Sequence, residues 1–323
     1  MKRMGQLYDA AFTLDALYDA YLAARRRKRA GRACHEFERC LGSNLQALER
    51  ELREGTYAPR PYYSFVVREP KPRTIHAPAF RDLVVQHAIY HAVGPIFERA
   101  FIDQSFACRV GLGTHAAADY AQEALRTCPP GSYTLKLDIR KFFYRIDRGI
   151  LRGLIERKIK DARFVELMMR FADHGEPVVG IPIGNLLSQL YALIYLNPLD
   201  HFIKRDLKIR RYCRYVDDFV LFGLTRESAL ECRSRIVAFL AGLKLELSKS
   251  TIAKVTHGVN FVGYRTWAGK RFVRRRALYN LRHAAARGRR ESVVSLLGHA
   301  RRSHSLRHML ESARRAGVMG PAR

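Results

Sequence analysis

The sequence predicts an α+β fold, because β-prone runs meet across tight turns as hairpins while long stretches of helical periodicity lie between and after them. Carboxylates also follow the apolar runs at Asp138 and at Asp217-Asp218. The 323 residues suffice for one large domain or two to three subdomains. Against 30 Asp and Glu stand 58 Lys and Arg, a formal charge of +28. That excess would repel itself in isolation, so a polyanionic partner is expected, nucleic acid being the commonest. No run approaches the roughly 18 apolar residues of a spanning helix, and Met1–Gln6 has no apolar signal core, so the expected place is the cytoplasm, with no membrane partner. The six cysteines form no Cys-x-x-Cys pair and read as reduced thiols, mostly buried. His283, His299, His304 and His308 lie among arginines, where solvated or phosphate-facing positions are expected.

Apolar positions at Leu7, Phe12, Leu14, Leu17 and Tyr21 predict a helix that runs into the basic stretch Arg25–Arg29, which is either a solvated face or a nucleic-acid contact. A second helix is expected from about Phe37 through Leu52, stopping at Gly55. Tyr62–Arg68 and Arg73–His76 flank a Pro-containing turn and read as a hairpin with Arg68, Lys71 and Arg73 at its tip. Helical periodicity covers Arg81–Phe101 and Thr114–Leu125. Tyr133–Ile139 is a β-prone run, followed by a helical stretch from about Asp147 to Phe171. The turn-rich Gly180–Asn185 leads into an apolar helix over about 186–202. Ile209–Arg214 and Phe219–Gly223 form a hairpin with Asp217 and Asp218 at its turn. A helix over about 227–240, a short strand Asn260–Tyr264 and an Arg-rich helical tail from Lys270 complete the chain.

Two-metal phosphoryl transfer needs carboxylates converging on ions about 3.5–4 Å apart, one activating the attacking hydroxyl and one holding the leaving phosphate. Asp138 at a strand end and Asp217-Asp218 at a hairpin tip fit that need, since adjacent acids between apolar runs repel unless cations bind there. A solvated Asp-Asp turn is the alternative.

These residues resemble the palm of the reverse transcriptases: Asp138-Ile139-Arg140-Lys141-Phe142-Phe143 for the first acid and its aromatic, and Tyr215-Val216-Asp217-Asp218 for the catalytic hairpin. Phe261–Tyr264 resembles the family's primer grip, and Lys71–Ile75 and Arg81–His87 its fingers, so the likeness covers about residues 57–265 in order. It implies a right-hand polymerase fold with an antiparallel palm sheet: a basic helical extension over 1–56, fingers over 57–132, palm over 133–264 with interleaved fingers helices at about 147–180, and a basic helical thumb over 265–323.

The implied activity is RNA-directed DNA synthesis from deoxynucleoside triphosphates on template RNA and a primer. Asp138 and Asp217 would bind two Mg2+ ions, or Mn2+ in their place, with Asp218 supporting and the Ile139 carbonyl completing a shell. Lys71 and Arg73 would hold the triphosphate, with a salt-bridged hairpin as the alternative, though local acids are few. Phe143 would exclude a ribose 2′-hydroxyl, with core packing as its alternative, and Phe142 reads as core. Ile183, Gly184 and Gln189 would lie at the nucleotide, although Gly184 also suits an ordinary helix entry. Lys249 either protonates pyrophosphate or is a surface lysine; Phe261, Gly263 and Tyr264 would form the primer grip, and Tyr264 and Trp267 either support the primer end or pack. Where most relatives carry Gln-Gly-x-x-x-Ser-Pro, this chain has Ile183-Gly184-Asn185-Leu186-Leu187-Ser188-Gln189, which resembles the reverse transcriptases of diversity-generating retroelements of bacteria and phages. That subtype implies error-prone copying of a template-repeat RNA opposite adenine for mutagenic retrohoming, together with a basic ring-forming helical accessory protein. The alternatives are an antiphage or retron-type reverse transcriptase and, in another class, a non-catalytic RNA-binding protein on a polymerase fold. Intact acids, gate and triphosphate hairpin argue against the last.

Overall fold

The computed structural model describes residues 3–68, 72–173, 175 and 179–318. Its chain makes two compact units, one from residues 1–102, 141–200 and 241–245, the other from residues 103–140, 201–240 and 246–323.

In the first unit the N-terminal periodicity yields α1 (Tyr8–Ala11) and α2 (Leu14–Ala24), the latter capped by the Thr13 hydroxyl on Ala16 N. The helix expected from Phe37 is instead two, α3 (Arg32–Glu38) and α4 (Leu41–Glu54), because the chain leaves helical geometry at Cys40 (φ −128°, ψ 45°). Gly55 ends α4 in the left-handed conformation, as a helix-stop glycine does. The expected hairpin forms from β1 (Tyr63–Val67) and β2 (Arg73–Ala77), antiparallel from Tyr63 opposite Ala77 to Val67 opposite Arg73. Lys71 falls outside the described residues. The following α5 (Phe80–Glu98) packs on α2 and buries Val84, Val85 and Ile89.

The second unit opens with α6 (Thr114–Arg126) and β3 (Tyr133–Ile139). Back in the first unit, the stretch expected as one helix from Asp147 to Phe171 is two, α8 (Arg148–Glu156) and α9 (Ala162–Ala172), after a short α7 (Phe142–Arg145). Asp161 explains the division: it caps α9 on Phe164 N, as Asp147 caps the start of α8 on Ile150 N. The apolar α10 (Leu186–His201) continues into a π-helical turn, Phe202–Asp206.

β4 (Tyr212–Tyr215) and β5 (Asp218–Leu224) make the acid-tipped hairpin, and α11 (Arg226–Gly242) follows. The sheet has the order β4-β5-β3-β6, all antiparallel. Its fourth strand, β6 (Leu247–Lys254), is absent from the sequence reading because a run of Ser, Lys and Thr offers no apolar alternation. Helix α6 covers this unit's sheet through Ala117, Ala121 and Leu125 against Val220 and Phe222.

The expected strand at Asn260–Tyr264 is instead the bend between β7 (Val259–Phe261) and β8 (Tyr264–Thr266), with β9 (Arg271–Val273) completing a second sheet. Val262 and Gly263, both at positive φ, turn the chain back where a strand would carry it on. The Arg-rich tail folds as α12 (Arg275–Ala286), α13 (Arg290–Ala300) and α14 (Leu306–Arg315) around Leu281, Val293 and Met309. Among the described residues no helix is long and apolar enough to cross a membrane. All six cysteines are free thiols; Cys34, Cys213 and Cys232 are buried, but Cys40 and Cys108 are exposed, against the expectation that most are buried.

Candidate active site

The three acids come together through strand register within the second unit. Asp138 ends β3 directly opposite Asp218, the first residue of β5. Tyr215 pairs with the same Asp218 across the β4–β5 hairpin, which leaves Val216 and Asp217 as a two-residue turn. Ile139 N donates to Asp217 O at 3.1 Å and ties that turn to the end of β3. Directly opposed residues carry side chains on one face about 4.5–5.5 Å apart at Cβ, so two carboxylates there repel unless neighbours compensate.

Two neighbours do so. Lys136, two residues before Asp138 and so on the same face, places its Nζ 2.7 Å from Asp218 Oδ2 and 2.6 Å from Asn260 O. Ser248 on β6 donates its hydroxyl to Asp138 Oδ1, and also contacts Asp138 O at 3.2 Å. Burial pushes the Asp218 carboxyl up to about 6, with the charges of Asp138 and Asp217 adding to the rise and Lys136 opposing it. Asp218 Oδ1 is buried without a hydrogen-bond partner among the described residues. A carboxylate oxygen with no donor, on a residue opposed across the strands to a second acid, suits a hard divalent cation, whose ligands are oxygens. Among the described residues no three Asp, Glu, His or Cys side chains already stand as a metal-binding group. Lys249 pairs with Asp138 on β6 and extends the row Asp218, Asp138, Lys249 across three strands; its side chain is exposed.

The other candidates gather in the first unit around residues 180–184. Gly180 N donates to Ile146 O at 2.8 Å and Ile181 N to Phe143 O at 2.9 Å, while His76 N donates to Ile183 O at 2.7 Å. The segment is thereby stitched to the Phe143 turn on one side and to β2, the strand of Arg73, on the other. Gly184, at φ +107°, explains its own identity: a Cβ there would stand 2.5 Å from Ile75 Cγ2. The close approach that excludes a side chain is thus to the hairpin of the protein itself. Phe142 is buried, Phe143 half-buried, and Gln189 exposed on α10.

Phe261 and Tyr264 pair at the root of the β7–β8 turn. Tyr264 is fully buried, stacked on His299 at 4.3 Å between ring centroids, and its hydroxyl bonds His299 O and, at 3.2 Å, His115 Nδ1. Its ring is committed to packing. A Cβ on Gly263 would fall 2.7 Å from His299 Nε2. His299 is therefore half-buried against this hairpin, contrary to the solvated or phosphate-facing place expected of it.

Lys136, Ser248, Gln86 and Asn185 are the participants the sequence reading missed. Asn185 Oδ1 accepts from Leu187 N at 2.9 Å and Gln86 Oε1 from Leu186 N at 3.2 Å, so both cap the start of α10 beside Gly184. Strand periodicity could have found Lys136, two places from Asp138. Nothing local marks Gln86, whose partner lies 100 residues away.

The model of the family described as reverse transcriptase (RNA-dependent DNA polymerase) matches residues 68–266. Protein YkfC of Escherichia coli K12 is 28% identical over 287 residues, covering 74% of each chain. The group II intron-encoded protein LtrA of Lactococcus lactis subsp. cremoris is 30% identical over 170 residues, covering 49% of this chain and 28% of LtrA. A Candida tropicalis telomerase, solved with a TWJ fragment of telomeric RNA, shares the fold at TM-score 0.50 and 12% identity, covering 84% of this chain and 56% of that one. The chain thus spans three quarters of YkfC, little over a quarter of LtrA and little over half of the telomerase chain.

Proposed function

The chain belongs to the reverse transcriptase (RNA-dependent DNA polymerase) family, and from that premise we propose that it extends a primer by copying template RNA into DNA from deoxynucleoside triphosphates. The observation that carries the reading is the opposition of Asp138 and Asp218, with Asp217 on the adjoining turn and one buried carboxylate oxygen left without a partner. Two magnesium ions, or manganese in their place, supply an activated primer hydroxyl and neutralise the leaving pyrophosphate when bound. Asp138 and Asp217 would hold them, with the Ile139 carbonyl, and Asp218 would offer Oδ1. Ser248 fixes the rotamer of Asp138, and Lys136 fixes that of Asp218. Arg73 and Lys71 hold the triphosphate; Ile183, Gly184 and Gln189 border the nucleotide; Phe143 closes the space a 2′-hydroxyl would need. Lys249 stands in the row of the acids to give a proton to pyrophosphate. The hairpin backbone at Phe261 and Gly263 supports the primer end.

Asp217→Asn keeps the shape and removes the charge that holds the ions. Primer extension on poly(rA) should fall by more than about 100-fold with folding and RNA binding retained; activity within about tenfold of the parent would refute the two-metal assignment.

The segment Ile183–Gln189 supports a narrower reading, a diversity-generating reverse transcriptase that copies a template-repeat RNA with errors at adenine and works with a basic ring-forming accessory protein. An apolar Ile183 cannot make the hydrogen bond a glutamine would, and a lost bond of about 1–1.5 kcal/mol is roughly tenfold in discrimination. Misincorporation opposite each template base, compared between the parent and Ile183→Gln, tests it. Equal accuracy at all four bases in the parent, or no gain in the variant, points to the antiphage or intron-type alternative.

A further inference from the structure

The Asp217-bearing turn carries a strained residue. Val216, β-branched, sits at φ +57°, in the left-handed region that such side chains avoid. Strain of this kind persists only where the surroundings over-determine the backbone. The two-residue hairpin closed by Tyr215 and Asp218 demands a positive φ at its first central residue, and the group that braces Val216 there is Arg214, a fully buried side chain whose Nη1 donates to Val216 O at 3.0 Å. A guanidinium withdrawn from water is retained only where its donors are well used.

Arg214 is itself held from both sides. It pairs with Phe219 on β5, and on its other flank Arg214 N donates to Gln104 O at 3.0 Å while Phe106 N donates to Arg214 O at 2.9 Å, a parallel bridge with Ser105. Arg109 secures that flank through Ser105 O at 2.8 Å. A rigid anchor therefore presents a charged donor to the one carbonyl that precedes Asp217.

We propose that Arg214 is a positioning residue for nucleotidyl transfer: by holding the Val216 carbonyl it keeps the turn left-handed and so sets the direction of Asp217 and Asp218. This rests on the polymerase reading of those acids. Without the guanidinium the strained Val216 is held only by the hairpin pairing and by the bond from Ile139 N to Asp217 O, so the turn samples other conformations and Asp217 moves with it.

The test exploits asparagine, which tolerates the left-handed region. Arg214→Met, and Arg214→Lys as the variant that keeps the buried charge, should each lower primer extension at least 30-fold and raise the Mg2+ concentration for half-maximal rate. Adding Val216→Asn to either should recover at least tenfold, which lost packing around a missing arginine would not allow. In parallel, amide exchange at Ile139 should quicken at least tenfold in the single variants and return toward the parent rate in the double ones. Primer extension within threefold of the parent in both single variants, or a loss that Val216→Asn does not relieve with Ile139 exchange unchanged, overturns the proposal. Should the parent extend no primer at all, the polymerase reading fails, and exchange at Ile139 alone still decides whether Arg214 holds the turn.

Discussion

Replacing Gly184 by alanine sets two costs against each other at one atom. The first is conformational: φ +107° is open to glycine, and a residue with a Cβ held in such a region costs about 1–3 kcal/mol. The second is steric, because the new Cβ would lie 2.5 Å from Ile75 Cγ2, so β2 or the 180–184 segment must move. Overpacking of this size costs about 1–3 kcal/mol. Partial relief of each by backbone shifts leaves about 2–4 kcal/mol in total. The strain falls on the bond from His76 N to Ile183 O, so the His76 amide is the reporter. At 1.4 kcal/mol per decade its exchange should quicken by about 30- to 700-fold. Ile75→Leu deletes the offending methyl branch and leaves the dihedral cost, so Gly184→Ala with Ile75→Leu should recover about one decade and no more. His76 exchange in Gly184→Ala within threefold of the parent would refute the reasoning, as would full recovery in the double variant.

Asp119 joins Arg271 Nη1 at 2.7 Å and Arg302 Nη1 at 2.5 Å in the second unit. Burial acts to raise its pKa, but the hydrogen bonds and charges of the two guanidiniums outweigh it and hold the carboxyl below its ordinary 3.8. A carboxyl depressed in the folded state stabilises fully above its unfolded value and loses that contribution as pH falls below it. Asp119→Asn should accordingly lower the melting midpoint at pH 7 and flatten its decline below about pH 4; an unchanged acid limb would contradict the pairing. Binding to RNA should weaken steeply with salt, since an excess of 28 positive charges displaces counterions from many phosphates. A slope of log affinity on log salt shallower than roughly −2 would contradict an extended phosphate interface.

Much of this arrangement is legible before any coordinates. Tyr133–Ile139 and Phe219–Gly223 announce themselves because apolar β-prone runs adjoin acids, and those acids meet because the strands pair. β6 is not legible: its residues are mostly exposed, and only its place beside β3 makes it a strand. The turn at Val262-Gly263 reads as strand because Phe261 and Tyr264 suit one, and the reason it bends, the His299 ring against Gly263, comes from 36 residues on. Capping decides another failure, since Asp161 divides a continuous apolar periodicity by competing locally for backbone N–H groups. Gln86 and Arg214 act through backbone partners that no pattern of side chains announces.

The strand order carries a consequence for how the molecule is made. β3 is flanked by β5 and β6, both later in the chain, so neither of its edges has a partner when it leaves the ribosome. At roughly 5–20 residues per second, about 115 residues of synthesis separate the end of β3 from the end of β6, an interval of roughly 6–23 seconds. Until β5 covers one edge and β6 the other, a β-prone run, Tyr133-Thr134-Leu135-Lys136-Leu137, offers open hydrogen-bonding groups to any other nascent chain. Yield of soluble protein should therefore depend on translation rate and on holdase chaperones more than on the stability of the finished sheet, and the alternating Lys136, beyond its tie to Asp218, is the one charge that interrupts this run while it waits.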